Sequence, residues 1–153
     1  MNDNSQALQC VLIPVNNRQL LLPNVSIAEV VDFDSSHSGD NTPDWLIGFI
    51  DWRGLQLPVI SYDAANNGEL VVPGGNRGRI IVLNTIGPGH ATSPFMAMAT
   101  QGIPSQTRLE QAQIRQLEAE PGPADQMQVE VDGETAWIPD LEYLEYLAGQ
   151  VMA

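Results

Sequence analysis

Apolar and polar positions alternate in short runs punctuated by turn-forming residues, and the first two runs, CVLIPV and RQLLLP, are joined by Asn16 and Asn17. Two apolar runs joined by residues that accept positive φ predict a β-hairpin. After Pro23, VSIAEVVDF alternates in part, with Ile27, Glu29 and Val31 on one side and Ala28, Val30 and Asp32 on the other, which predicts a third strand. DSSHSGDNTPD reads as an exposed loop, because its Ser, Asn and Asp side chains bond locally and cannot pack a core. WLIGFIDW and LQLPVISY then flank Arg53-Gly54, a second hairpin with its Arg near the tip.

AANNGELVVPGGNRG reads as a linker between strand groups, followed by the strand GRIIVLNT and the turn IGPGHATS. PFMAMATQGI and IPSQTRL predict two strands, and RLEQAQIRQLEAE a helical turn or two stopped by PGPADQ. MQVEVDGETAWI has the cleanest period-2 pattern, with Asp132-Gly133 supplying a type I′ turn. Asp140 is placed to cap a final helix whose stripe is Leu141, Leu144, Leu147, Ala148 and Val151, with Glu142 and Glu145 toward its positive end. About eight to ten short strands and one helix predict a sandwich or a pair of small barrels.

Composition sharpens this picture. A chain of 153 residues fits one domain or two tightly joined lobes. The net charge of −13 sets 19 acids against six basic residues, all Arg. Such a surface repels phosphate backbones and anionic lipid, which argues against nucleic acid or a membrane surface as partner. Residues 70–109 hold no acid but carry Arg77, Arg79 and Arg108, whereas residues 110–153 hold ten acids and only Arg115. Cys10 stands alone, so neither an intramolecular disulfide nor a cysteine metal cluster can form, and a reducing compartment is expected. MNDNSQAL lacks a positive flank leading into an apolar stretch, and no run approaches the ~18 apolar residues of a membrane span. The expectation is a cytoplasmic protein without direct membrane insertion.

Residues for enzymatic chemistry are sparse. His37 and His90 lie in hydrophilic turns without a second ligand at metal-binding spacing. Asp32, Asp34, Asp40 and Asp44 invite an acid–base or Ca²⁺ reading, but no Glu stands at the EF-hand offset. PGGNRGR lacks both glycine-rich nucleotide patterns, no Ser sits in a G-x-S-x-G elbow, and Cys10 has no cation beside it in sequence. No catalytic residue, cofactor or metal is expected; a small acidic enzyme using Asp32, Asp34 or His90 is a distant alternative.

The segment GFIDWRGLQLPVI has a different chemistry. Arg beside Trp offers planar, bidentate and stacking contacts, and both types are enriched at interface hot spots. A plainer arrangement fits equally well, in which Arg53 pairs loosely with Asp51 and Trp52 covers the core edge.

The run Trp45, Leu46, Ile47, Gly48, Phe49, Ile50, Asp51, Trp52, Arg53, Gly54, Leu55, followed by Pro58 and Val59, resembles the signature of CheW-like chemosensory adaptors. The opening strands, with Pro23 before VSIAEVV, and the DG hairpin before PDLEYL resemble the ends of the same family. The resemblance implies a mainly β fold of two five-stranded SH3-like barrel lobes with a short C-terminal helix. It implies a single CheW-like domain over residues 1–153, with a flexible N-terminus (1–6), a loop (33–44) and a linker (64–78). It further implies a non-enzymatic adaptor, monomeric when isolated and recruited to receptor arrays at the inner membrane. Its partners would be the regulatory domain of a CheA-like histidine kinase and the cytoplasmic tip of a methyl-accepting chemoreceptor; a CheW-fold scaffold without receptor contact is the alternative. Carried over by position, Gly48 and Arg53 match signature positions implicated in coupling and Ile27, Glu29 and Val31 line the receptor groove; Asp51, Trp52 and Gly54 of the same hairpin join them as binding candidates. Two departures stand out: Asp51 where the family usually has Asn, and Ser61-Tyr62-Asp63 where it usually has an acidic residue followed by Leu. They point to a divergent member, of a pilus- or surface-motility-type system.

Overall fold

A computed structural model of the chain describes residues 7–16, 18–33, 43–73, 77–87 and 94–151. The strands are β1 (Leu8–Val15), β2 (Arg18–Pro23), β3 (Ile27–Asp32), β4 (Leu46–Trp52), β5 (Leu55–Ile60), β6 (Arg79–Asn84), β7 (Phe95–Thr100), β8 (Ser105–Leu109), β9 (Ile114–Leu117), β10 (Asp125–Val131) and β11 (Glu134–Pro139). Among the described residues there are also two α-helices, α1 (Tyr62–Ala65) and α2 (Leu141–Val151). The three expected hairpins form β1–β2, β4–β5 and β10–β11. At two of the turns the backbone takes the positive φ angles of a type I′ turn: 49° and 79° at Arg53-Gly54, 50° and 86° at Asp132-Gly133.

The strands assort into two sheets, β8-β1-β2-β11-β10-β9 and β3-β6-β7-β5-β4. The fold is mainly β and two-lobed as expected, with six strands in one lobe and five in the other. In the six-stranded lobe the edge strands β8 and β9 are neighbours in sequence, and Leu109 and Ile114 at their facing ends pack into the same interior with Cys10, Leu21, Val129 and Val131. Curling toward closure in this way covers edges that would otherwise offer unpaired backbone groups.

The segment expected to be helical past Leu109 is instead a 3₁₀ turn, Gln111–Gln113, and the strand β9. Glu110 N donates to Gln113 Oε1 at 2.8 Å, closing the turn locally. Beyond it, Ile114 and Arg115 find β10 partners in Val131 and Glu130, and Arg115 pairs with the Glu130 carboxylate. A ladder on an open edge supplies more backbone bonds than one short helical turn, so tertiary context overrides local propensity. Just ahead of the stretch read as a linker (64–78), Ser61 Oγ accepts from Ala64 N at 3.2 Å and caps α1, whose last two residues fall inside that stretch.

The largest apolar cluster fills neither lobe's interior; it lies between the lobes. Val11, Ile13, Leu20 and Leu22 of the six-stranded sheet meet Leu46, Ile60, Ile81, Leu83, Met96 and Met98 of the other, and Leu141, Leu144, Leu147 and Ala148 of α2 complete it. Asp140 caps α2 as its position predicts, Oδ1 accepting from Tyr143 N at 3.2 Å. Glu145 does more than favour the helix dipole: its carboxylate accepts the backbone N–H groups of Ile86 and Gly87, tying α2 to the turn after β6. Among the described residues no helix is long and apolar enough to cross a membrane.

Candidate protein-interaction site

The tip of the β4–β5 hairpin is built by strand alternation. Ile50 and Trp52 are buried and pack in the interior of the five-stranded lobe with Leu57, Val59, Ile80 and Val82, whereas Asp51 points outward. Trp52 meets Phe95 edge-to-face, with ring centroids 4.8 Å apart. The tight turn then carries Arg53 out of the lobe, and its guanidinium lies 4.5 Å above the Trp52 ring.

Glu29 of β3 joins the two. Its Oε1 accepts from Trp52 Nε1 at 2.9 Å and from Arg53 Nη2 at 3.4 Å. Arg53 therefore pairs with Glu29 rather than with Asp51, the partner its sequence neighbourhood suggested. β3 and β4 are the two edges of this sheet, so the Glu29–Trp52 bond bridges the strands between which the barrel would otherwise gape. Side-chain exposure of 68% for Arg53 and 43% for Glu29 leaves the ion pair in water, where such pairs contribute about 0–1 kcal/mol. A pair this weak can be exchanged for a partner's contact at little loss.

The remaining sequence candidates are dispersed. Gly48 is buried within β4 beside a register shift, where it can shape the strand but offers no surface. Asp51 is exposed opposite Gln56, and Gly54 sits in the turn. The shared face expected for Ile27, Glu29 and Val31 is broken by a bulge between Ile27 and Glu29. Ile27 packs toward the seam between lobes and Val31 into the five-stranded lobe, because one inserted residue reverses the side on which the preceding side chain falls.

Of the residues weighed for catalysis, Asp32 is exposed and 3.6 Å from Arg79, while Asp34, Asp40, His37 and His90 lie outside the described residues. Among the described residues no group of three His, Cys, Asp or Glu side chains could hold a metal ion. Burial pushes the Cys10 thiol pKa up, away from the reactive thiolate.

The sequence model of the CheW-like domain matches residues 9–146. The chain belongs to the CheW-like domain family. Its CheW-like fold is similar to that of the scaffolding protein TtCheW from Thermoanaerobacter tengcongensis, with a TM-score of 0.71 at 16% identity, covering 92% of this chain and 90% of that one. No curated protein sequence matches it significantly. Trp52 and Arg53 lie on the β4–β5 hairpin inside the matched region, and Glu29 reaches them from β3. One further polar cluster, built around Asp125 between the lobes, escaped sequence reasoning altogether.

Proposed function

We propose that this CheW-like chain is a non-enzymatic adaptor that couples a methyl-accepting chemoreceptor to a CheA-like histidine kinase in the cytoplasm. The observation that carries the reading is Arg53, projected from a rigid two-residue turn at the family's signature position and held over Trp52 with only a weak, solvated ion pair. A guanidinium oriented in this way keeps most of its fork of donors for a partner's carboxylate or carbonyl groups. Placement over the Trp52 ring before binding lowers the entropy lost on binding. Neither partner needs chemistry from the adaptor; coupling arises when contacts to both differ between signalling states.

The test is a reconstituted receptor–kinase assembly with wild-type chain and with Arg53→Ala. The variant should keep its circular dichroism spectrum and melting transition while receptor control of kinase output weakens several-fold. Unchanged control would remove Arg53 from the interface. A parallel pull-down with receptor tips separates this adaptor from a scaffold that binds the kinase alone.

A further inference from the structure

Ser61 and Tyr62, which follow β5, open onto the seam between the lobes. Ser61 caps α1, and Tyr62 extends its hydroxyl into that seam, to the carboxylate of Asp125. The Asp125 side chain is 1% exposed. Its oxygens also accept from Arg18 Nη1 at 3.0 and 3.1 Å, from Asn66 Nδ2 at 3.0 Å and from Gly122 N at 2.9 Å. Asn66 Oδ1 in turn accepts from Ala124 N at 2.9 Å, and a Cβ at residue 122 would collide with the Asn66 amide, so glycine permits the approach. Arg18 lies 4.4 Å from the Trp137 ring centroid.

A carboxylate removed from water is costly unless its lone pairs are filled. Here burial pushes the Asp125 pKa up, but the Tyr62 hydroxyl, the Gly122 N–H, the Asn66 amide and the Arg18 guanidinium together outweigh it and hold the group below its ordinary value. Tyr62, buried against this anion, is pushed far above the usual phenol range and remains a donor.

The chain segments that meet here belong to different lobes. Tyr62 and Asn66 follow β5 of the five-stranded sheet, whereas Arg18 opens β2 and Asp125 opens β10 of the six-stranded sheet. The apolar seam beside them favours contact but not one orientation, since hydrophobic attraction is non-directional. Hydrogen bonds converging on one carboxylate are directional. We propose that the Tyr62–Asp125–Arg18–Asn66 cluster is an interlobe clamp that fixes the angle between the two lobes. Its consequence for signalling rests on the adaptor reading, since a fixed angle would hold sites on the two lobes in constant relation; the clamp itself does not depend on it.

The test uses the isolated chain with Tyr62→Phe and with Asp125→Asn. Spin labels on cysteines introduced at the exposed positions Gln56 and Gln106, one in each lobe, report the interlobe distance by double electron–electron resonance. Hydrogen exchange is followed in parallel. The wild type should give one narrow distance distribution, and each variant a broader one. Exchange should quicken about ten-fold in residues 62–66 and 122–125, as expected for losing a bond to a charged group, while β6, β7 and β10 beyond Asp125 keep their protection. An unchanged distance distribution would reduce the cluster to local satisfaction of a buried charge and overturn the clamp. Uniformly faster exchange across both sheets would overturn it as well. If Asp125→Asn does not fold, Tyr62→Phe, which keeps the ring, decides alone. Because no partner is present, the clamp can fail while the adaptor reading stands, and the reverse.

Discussion

The chain uses one set of groups twice, with opposite consequences. At the hairpin tip, Arg53 lies 4.5 Å from the Trp52 ring centroid and pairs with Glu29; at the seam, Arg18 lies 4.4 Å from that of Trp137 and pairs with Asp125. The tip pair is exposed at both ends, so water competes for every contact. The seam carboxylate is closed off from water and has only protein donors. Identical chemistry therefore makes an exchangeable contact in one place and a fixed joint in the other, and solvent access decides which.

The strongest way to break this comparison is Asp125→Ala. Losing the acceptor leaves the Gly122 N–H, the Asn66 amide and Arg18 without their shared partner and the Tyr62 hydroxyl with the Ala124 carbonyl alone, and denaturant titration should show a loss of about 3 kcal/mol or more. Trp52→Phe, which withdraws the Nε1–H from Glu29 and shrinks a core ring, should cost about 1–2 kcal/mol by the same measurement. Arg53→Ala should shift stability by less than about 1 kcal/mol, however strongly it weakens kinase control. A tip variant as destabilising as Asp125→Ala would erase the distinction between the two sites.

Acid sharpens it further. The folded-state pKa of Asp125 is depressed below its ordinary value, so its stabilising contribution is present above that value and is lost as pH falls through the folded pKa. Asp63 works in the opposite direction, because burial raises its pKa in spite of the Asn16 N–H and Arg18, so protonating it on acidification favours the fold. In an Asp63→Asn background, unfolding free energy should drop as pH descends below about 3.8. Adding Asp125→Asn should flatten that drop. Persistence of the full slope would mean that Asp125 does not carry it.

What could be read directly along the chain follows from local rules. The Asn16, Arg53-Gly54 and Asp132-Gly133 turns, the alternation in β10 and the Asp140 cap each depend on residues within a few positions of one another, and all appear in the fold. The Arg53 tip was legible for the same reason, together with its family-like spacing. The misread parts involve competition from distant chain. β9 takes up its ladder only because β10 stands beside it, and the bulge that turns Ile27 away from Glu29 arises in pairing with β6. Glu29 was a candidate, but its bonds to Trp52 and Arg53 cross 23 and 24 residues, a distance that period-2 patterning cannot register.

By itself the sequence determined the β-rich class, the three hairpins, the C-terminal helix and an Arg-aromatic tip, because turn chemistry and side-chain alternation act over neighbouring residues. Tertiary structure alone decided the pairing of the Arg53 guanidinium with Glu29 and the making of the Asp125 cluster. The bonds to Asp125 from the side chains of Arg18, Tyr62 and Asn66 join residues 59 to 107 positions apart in the chain. Only folding brings such groups within hydrogen-bonding range, and only the burial that accompanies it removes the water that would otherwise compete for them.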